Sequence, residues 1–102
     1  MRLKVGVKLH NLQPQTLLAM QITDQDHIER FGNECTITSV NDSEHMKGSL
    51  HGLGLAFDVR TRDLLPGQDK IWFNQLRSRL GAAGYDVVLE STHIHVEYDP
   101  KD

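Results

Sequence analysis

The sequence predicts an α+β domain in which a small antiparallel sheet is flanked by helices. Three observations predict it. Apolar and polar residues alternate over residues 2–9 and 55–60; apolar residues recur at helical spacing over residues 11–31 and 69–83; and two strand-like runs near the C-terminus are separated only by Ser91 and Thr92. A chain of 102 residues, 38% of them hydrophobic, has material for one core and not two.

Leu3, Val5, Val7 and Leu9 alternate with Arg2, Lys4, Gly6 and Lys8, the period-two pattern of a strand with one buried face. Residues 11–31 read as a helix. Pro14 suits its first turn, Leu17, Leu18, Ile22, Ile28 and Phe31 give broken 3.6-type spacing, the Thr23-Asp24 step offers a break, and Gly32 is a terminator. Residues 34–40 are β-branched and short, a strand that belongs to the core, and the polar stretch 41–49 is a loop.

Leu55, Phe57 and Val59 alternate with Ala56, Asp58 and Arg60 in a second strand whose faces differ in character. Pro66-Gly67 marks a turn before a helix over 69–83, with Trp72, Leu76, Leu80 and Ala83 on one stripe and Gly84 at its end. Residues 85–90 and 93–98 then form a tight antiparallel hairpin, although Ser-Thr is not the favoured chemistry of a two-residue turn.

Eleven basic against fourteen acidic residues give a formal charge of -3, which supplies none of the positive field that nucleic-acid binding or adsorption to anionic membranes relies on. No run approaches the about 20 apolar residues of a membrane span, so membrane insertion is not expected. Lys and Gly interrupt the apolar residues of the first ten positions, which lack the pattern of a signal peptide. Synthesis in the cytoplasm is the expectation, and release to a cell wall would need a partner pore. The one cysteine, Cys35, excludes an intrachain disulfide and any Cys-rich zinc module, and reads as a buried thiol.

Six histidines are the unusual feature of the composition. His51 and Asp58 lie seven apart, a spacing that fits no helical metal motif and that a straight strand would stretch to about 23 Å. The chain must fold back between them, and Gly52 and Gly54 permit that return. His93 and His95, two apart on a strand, share one face, while Ile94, Val96 and Tyr98 take the other. A two-residue turn at Ser91-Thr92 sets Glu90 directly opposite His93, so one face carries a carboxylate and two imidazoles. Two imidazoles and one carboxylate on zinc leave a fourth position for water, whose pKa the metal lowers to about 7. Each feature also has a plain alternative. An HxH pair is commonly the polar face of an amphipathic strand, Asp58 alone reads as a solvent-facing acid, and Glu97, which shares the parity of His95, reads equally as a group supporting that histidine or as a solvated acid. His10 and His27 read as surface histidines, and His45, near His51, as a ligand or, more commonly, an exposed loop residue.

Residues 49–58, SLHGLGLAFD, fit SxHxxGxAxD at every defined position, and His93-Ile94-His95 supplies an HxH beyond it. Together they resemble the zinc metallopeptidases that group D-Ala-D-Ala carboxypeptidases and dipeptidases, phage L-alanyl-D-glutamate endopeptidases and the Hedgehog signalling domain. The resemblance covers residues 12–99 and implies a fold of Hedgehog/DD-peptidase type across a single domain, residues 1–102. It implies zinc held by His51, Asp58 and His95, with Glu90 as general base and His93 as an auxiliary group that stabilises the tetrahedral intermediate or shares proton transfer. The implied substrate is a peptidoglycan stem peptide, cut at a D-Ala-D-Ala or L-Ala-D-Glu bond.

The sequence departs from that pattern in places. Thr92 stands three before His95, where some relatives carry the acid, and cannot act as a base. The arginine that binds substrate in carboxypeptidase-like members has no counterpart at Val40-Asn41-Asp42; Arg60, Arg62 and Lys47 are the substitutes on offer. The leading expectation is a zinc-dependent peptidase. The alternatives are a non-catalytic, zinc-stabilised binding or structural module of the same fold, and a metal-free domain with solvent-facing histidines.

Overall fold

A computed structural model describes residues 1–9, 12–40 and 55–99. The described elements are β1 (Arg2–Leu3), α1 (Pro14–Phe31), β2 (Thr36–Ser39), β3 (Ala56–Arg60), α2 (Gln68–Gly81), β4 (Tyr85–Leu89) and β5 (His93–Tyr98). They form one five-stranded sheet in the order β1-β2-β3-β5-β4 with two helices, an α+β architecture. The sheet is mixed and not wholly antiparallel as expected: β1 pairs parallel to β2, while every other neighbouring pair is antiparallel. The long connection through α1 returns the chain to the same edge in the same direction, which a hairpin could not do.

The N-terminal alternation extends over a much shorter strand than it suggests. After Leu3 the chain turns, with Gly6 at φ 96° and the Val7 N–H donating to the Lys4 carbonyl at 3.0 Å. Val5 is consequently 98% exposed. A left-handed glycine ends the strand where period-two patterning alone would continue it.

Helix α1 runs unbroken through Thr23-Asp24 and stops at Gly32, whose φ of 81° and N–H bond to the Ile28 carbonyl close the last turn. Its buried face matches the expected one only in part: Ile22 and Phe31 pack against the core, but Leu17, Leu18 and Ile28 are exposed, and the buried residues are Thr16, Ala19, Met20, Thr23 and His27. Small residues at 16, 19 and 23 suit close approach to the sheet, and the Thr23 hydroxyl donates to the Ala19 carbonyl at 2.7 Å, so its burial leaves no orphan donor. His27 is likewise not a surface residue. Its Nδ1 donates to the Asn33 carbonyl at 2.5 Å, and its ring packs edge-on against Phe31 and Trp72.

Helix α2 begins at a left-handed Gly67 and buries Trp72, Leu76 and Leu80. It ends at Gly81, so Ala83 falls in the following turn and is exposed. The helices are joined through Asp26, which accepts from Trp72 Nε1 at 2.7 Å and from Arg79 at 3.2 Å. Phe57, Val59, Ile94, Val96 and Ile37 are fully buried in the same core as Trp72, Leu76 and Met20, which places the helices over one face of the sheet. Burial pushes the Cys35 thiol up to about 12, so it remains an inert core group at neutral pH.

Candidate metal centre on the open sheet face

Strand alternation that buries Phe57, Val59, Ile94 and Val96 turns Asp58, Arg60, His93, His95 and Glu97 to the opposite face. Register then decides which of these meet. Asp58 pairs with His95 across β3 and β5, Arg60 with His93, and Ala56 with Glu97. On the other flank Val88 stands opposite His95 and Asp86 opposite Glu97. The open face is thus polar along β5 because the buried face takes every second residue.

Asp58 and His95 meet directly, with Oδ1 and Nδ1 2.9 Å apart. The other carboxylate oxygen lies 3.8 Å from His93 Nε2. His95 Nε2 in turn lies 2.9 Å from Glu97 Oε1, so both ring nitrogens face carboxylates. The Asp58 side chain is 14% exposed and that of His95 20%, which limits solvent screening of the pair. The Asp58 bond raises the His95 pKa above its ordinary value; desolvation opposes the rise, and Glu97 adds to it.

The β4–β5 hairpin turns at Ser91-Thr92 as expected from the sequence. Leu89 pairs with Ile94, and beyond them the Glu90 N–H donates to the His93 carbonyl at 2.9 Å. Glu90 stands opposite His93, with its side chain exposed at the end of the sheet. His93 Nδ1 is 3.2 Å from the Thr92 hydroxyl.

Irregularity in β2 shapes the neighbourhood of Asp58. Ile37 pairs with Val59 but Ser39 pairs with Asp58, leaving Thr38 as an extra residue at a bulge. Thr38 and Ser39 both line a pocket of about 250 Å³ beside Asp58 and His93, whose rim carries Lys4, Arg60 and Arg62. Of the substitutes expected for a substrate-binding arginine, Arg60 and Arg62 are therefore beside Asp58. Lys4 joins them because the chain turns after β1. No pattern in the sequence points to Lys4, since a continuous strand would have carried the chain onward. A larger cavity of about 580 Å³, lined by Arg2, Arg30, Phe31 and Leu65 among others, contains neither Asp58 nor the β5 histidines.

Asp58 Oδ1 and His95 Nδ1 stand at hydrogen-bond distance, 2.9 Å, whereas donors about 2.0–2.1 Å from a tetrahedral zinc stand roughly 3.3 Å apart. Among the sequence-derived ligands the structure brings Asp58 and His95 together; His51 lies outside the described residues, as do His10, His45, Lys47 and the expected loop 41–49. A second group, Asp86, Glu97 and Asp99, places one oxygen of each within 4.8 Å of the others, and its Glu97 is the residue that also meets His95. Sequence spacing gave no sign of that group, because it joins β4 to the end of β5. Among the described residues no helix is long and apolar enough to cross a membrane. Comparison with family models, curated proteins and solved structures finds no match to this chain.

Proposed function

We propose that the protein is a zinc-dependent metallopeptidase that hydrolyses amide bonds of peptidoglycan stem peptides, on a domain of Hedgehog/DD-peptidase type. One observation carries the reading. Asp58 and His95, 37 residues apart and the last ligands of the SxHxxGxAxD and HxH motifs, are directly opposed with their donor atoms 2.9 Å apart. His51 enters on the motif alone.

His51, Asp58 and His95 would hold zinc, which when bound supplies Lewis acidity to a scissile carbonyl and to water. Glu90 takes the proton from the attacking water and returns it to the departing amine. His93, held beside Asp58, donates toward the oxygen on which charge develops. Lys4, Arg60 and Arg62 around the adjoining pocket suit a substrate carboxylate, which stem peptides carry. Arg60 also faces Asp63 at 3.6 Å, so Lys4 and Arg62 are the better candidates for that contact.

The test is digestion of defined muropeptides with mass-spectrometric identification of products, alongside metal analysis. Stoichiometric zinc, new amine termini from the wild type and none from Glu90→Gln are expected. Equal activity in Glu90→Gln removes Glu90 from its role, and zinc uptake unaffected by His51→Ala removes His51 from the ligand set. A second reading, a zinc-stabilised binding module of the same fold, draws on the position of Glu90, the most exposed of the proposed catalytic groups. Chelation lowers the melting temperature under both readings, but only the enzyme releases amines.

A further inference from the structure

The C-terminal end of α1, the start of β2 and the chain between β3 and α2 border the cavity of about 580 Å³, a size that suits a small molecule. Among its lining residues Phe31, Leu64 and Leu65 are apolar, Arg30 and Arg60 bring guanidiniums, and Glu34 and Asp63 bring carboxylates. His27 lines it too, although the residue is only 6% exposed. A carbonyl oxygen can only accept, so the 2.5 Å contact with the Asn33 carbonyl places the ring proton on His27 Nδ1. In the uncharged ring Nε2 is then an acceptor, and among the described residues it has no hydrogen-bond partner; the ring's other neighbours are the aromatic faces of Phe31 and Trp72. A buried acceptor of this kind calls for a donor from outside the chain.

The guanidiniums have donors to spare as well. Arg30 Nε stands 3.7 Å from Asp26 and Arg60 Nη1 3.6 Å from Asp63, both longer than a hydrogen bond. Each therefore keeps its planar fork of N–H groups for a carboxylate. We propose that this cavity binds an unlinked α-amino acid with an apolar side chain. Its carboxylate is drawn to Arg30 and Arg60, its ammonium group donates to His27 Nε2, and its side chain lies against Phe31, Leu64 and Leu65. Charge of both signs in one cavity suits a zwitterion: a simple anion leaves Nε2 without a donor, and a simple cation leaves the guanidiniums without an acceptor. Asp63 adds a carboxylate for the ammonium group, whereas Glu34 is already engaged at 2.7 Å by the N-terminal ammonium. Leu65 is 68% exposed and is covered once the side chain is seated. The cavity contains none of Asp58, His93 and His95, so the proposal stands apart from the metal reading.

The experiment titrates the full chain, ¹⁵N-labelled and kept in chelator so that no metal holds the ligand, with each enantiomer of leucine. Isocaproate, which lacks the amine, and isoamylamine, which lacks the carboxylate, are titrated alongside. One enantiomer of leucine at least should give saturable shifts at His27 Nε2 and at the Leu64 and Leu65 amides, and each analogue should bind about 10-fold or more weakly. Arg30→Gln should bring leucine down to the affinity of isoamylamine, with the spectrum away from the cavity unchanged. His27→Phe keeps a ring against Trp72 and should bring leucine down to the affinity of isocaproate; Arg30→Gln decides the matter where His27→Phe does not fold. Equal affinity for leucine and isocaproate overturns the proposal, since the cavity then takes anions alone. So does the absence of any saturable shift at millimolar leucine, and so do shifts confined to Asp58, His93 and His95.

Discussion

Replacing Asp58 by Asn removes one negative charge from the centre of the open face while keeping the side chain's shape, and it separates the two roles of this residue. In metal-free protein at pH 6 the carboxylate accepts a charge-assisted hydrogen bond from His95 at 2.9 Å and lies 3.8 Å from His93. Such a bond contributes about 1.5–3 kcal/mol, and the partial exposure of both side chains favours the lower end. A loss of about 1.5 kcal/mol lowers Tm by roughly 6–12 °C in a domain of this size. With zinc the difference widens. Free zinc at 100 times its Kd adds about 2.7 kcal/mol to the wild type, a rise of roughly 10–20 °C, and Asp58→Asn should lose most of that increment. Differential scanning fluorimetry with chelator and with graded zinc measures both quantities. A variant with the full wild-type zinc shift would refute Asp58 as a ligand. A metal-free variant melting with the wild type would refute the strength assigned to the Asp58–His95 pair.

Three further outcomes are expected. In metal-free protein His95 should titrate above the usual histidine range; because its folded pKa is raised, the stabilisation is complete below about pH 6.5 and fades as pH climbs through the folded value. NMR of the His95 ring proton, and a flatter stability profile above pH 6 in His95→Gln, check that sign. Trp72→Phe should cost about 2–3 kcal/mol, a Tm fall of roughly 8–24 °C, because it deletes the indole bond to Asp26 and part of a fully buried side chain; urea unfolding measures it, and wild-type stability would show that this bond does not hold the helices together. Lys4→Ala and Arg62→Ala should each raise KM for a stem peptide severalfold with little change in kcat. A selective loss of kcat would place these side chains at the reacting bond and not at the substrate carboxylate.

Legibility from the sequence varied with how local each signal was. The hairpin around Ser91-Thr92 followed from two apolar alternations with two residues between them, and Gly32 marked the end of α1. Helical spacing located α1 but identified only part of its face. Large residues such as Leu17 and Leu18 outrank Thr16, Ala19 and Thr23 in any hydrophobic pattern, yet the smaller set is the one that packs. The N-terminal alternation likewise overstated β1, since one left-handed glycine outweighs four residues of pattern.

The sequence by itself determined which residues share a face. Alternation has a period set by backbone geometry, so Asp58 on β3 and His93, His95 and Glu97 on β5 had to point away from Phe57, Ile94 and Val96 once those were buried. Only the tertiary structure decided which of them touch. Strand order β3-β5-β4, the register that sets Asp58 against His95, and the turn that leaves Lys4 beside the pocket depend on contacts between distant parts of the chain. Patterning is a property of neighbours along the chain, whereas register is settled by the whole core packing at once, and it is register that brings Asp58 Oδ1 to 2.9 Å from His95 Nδ1.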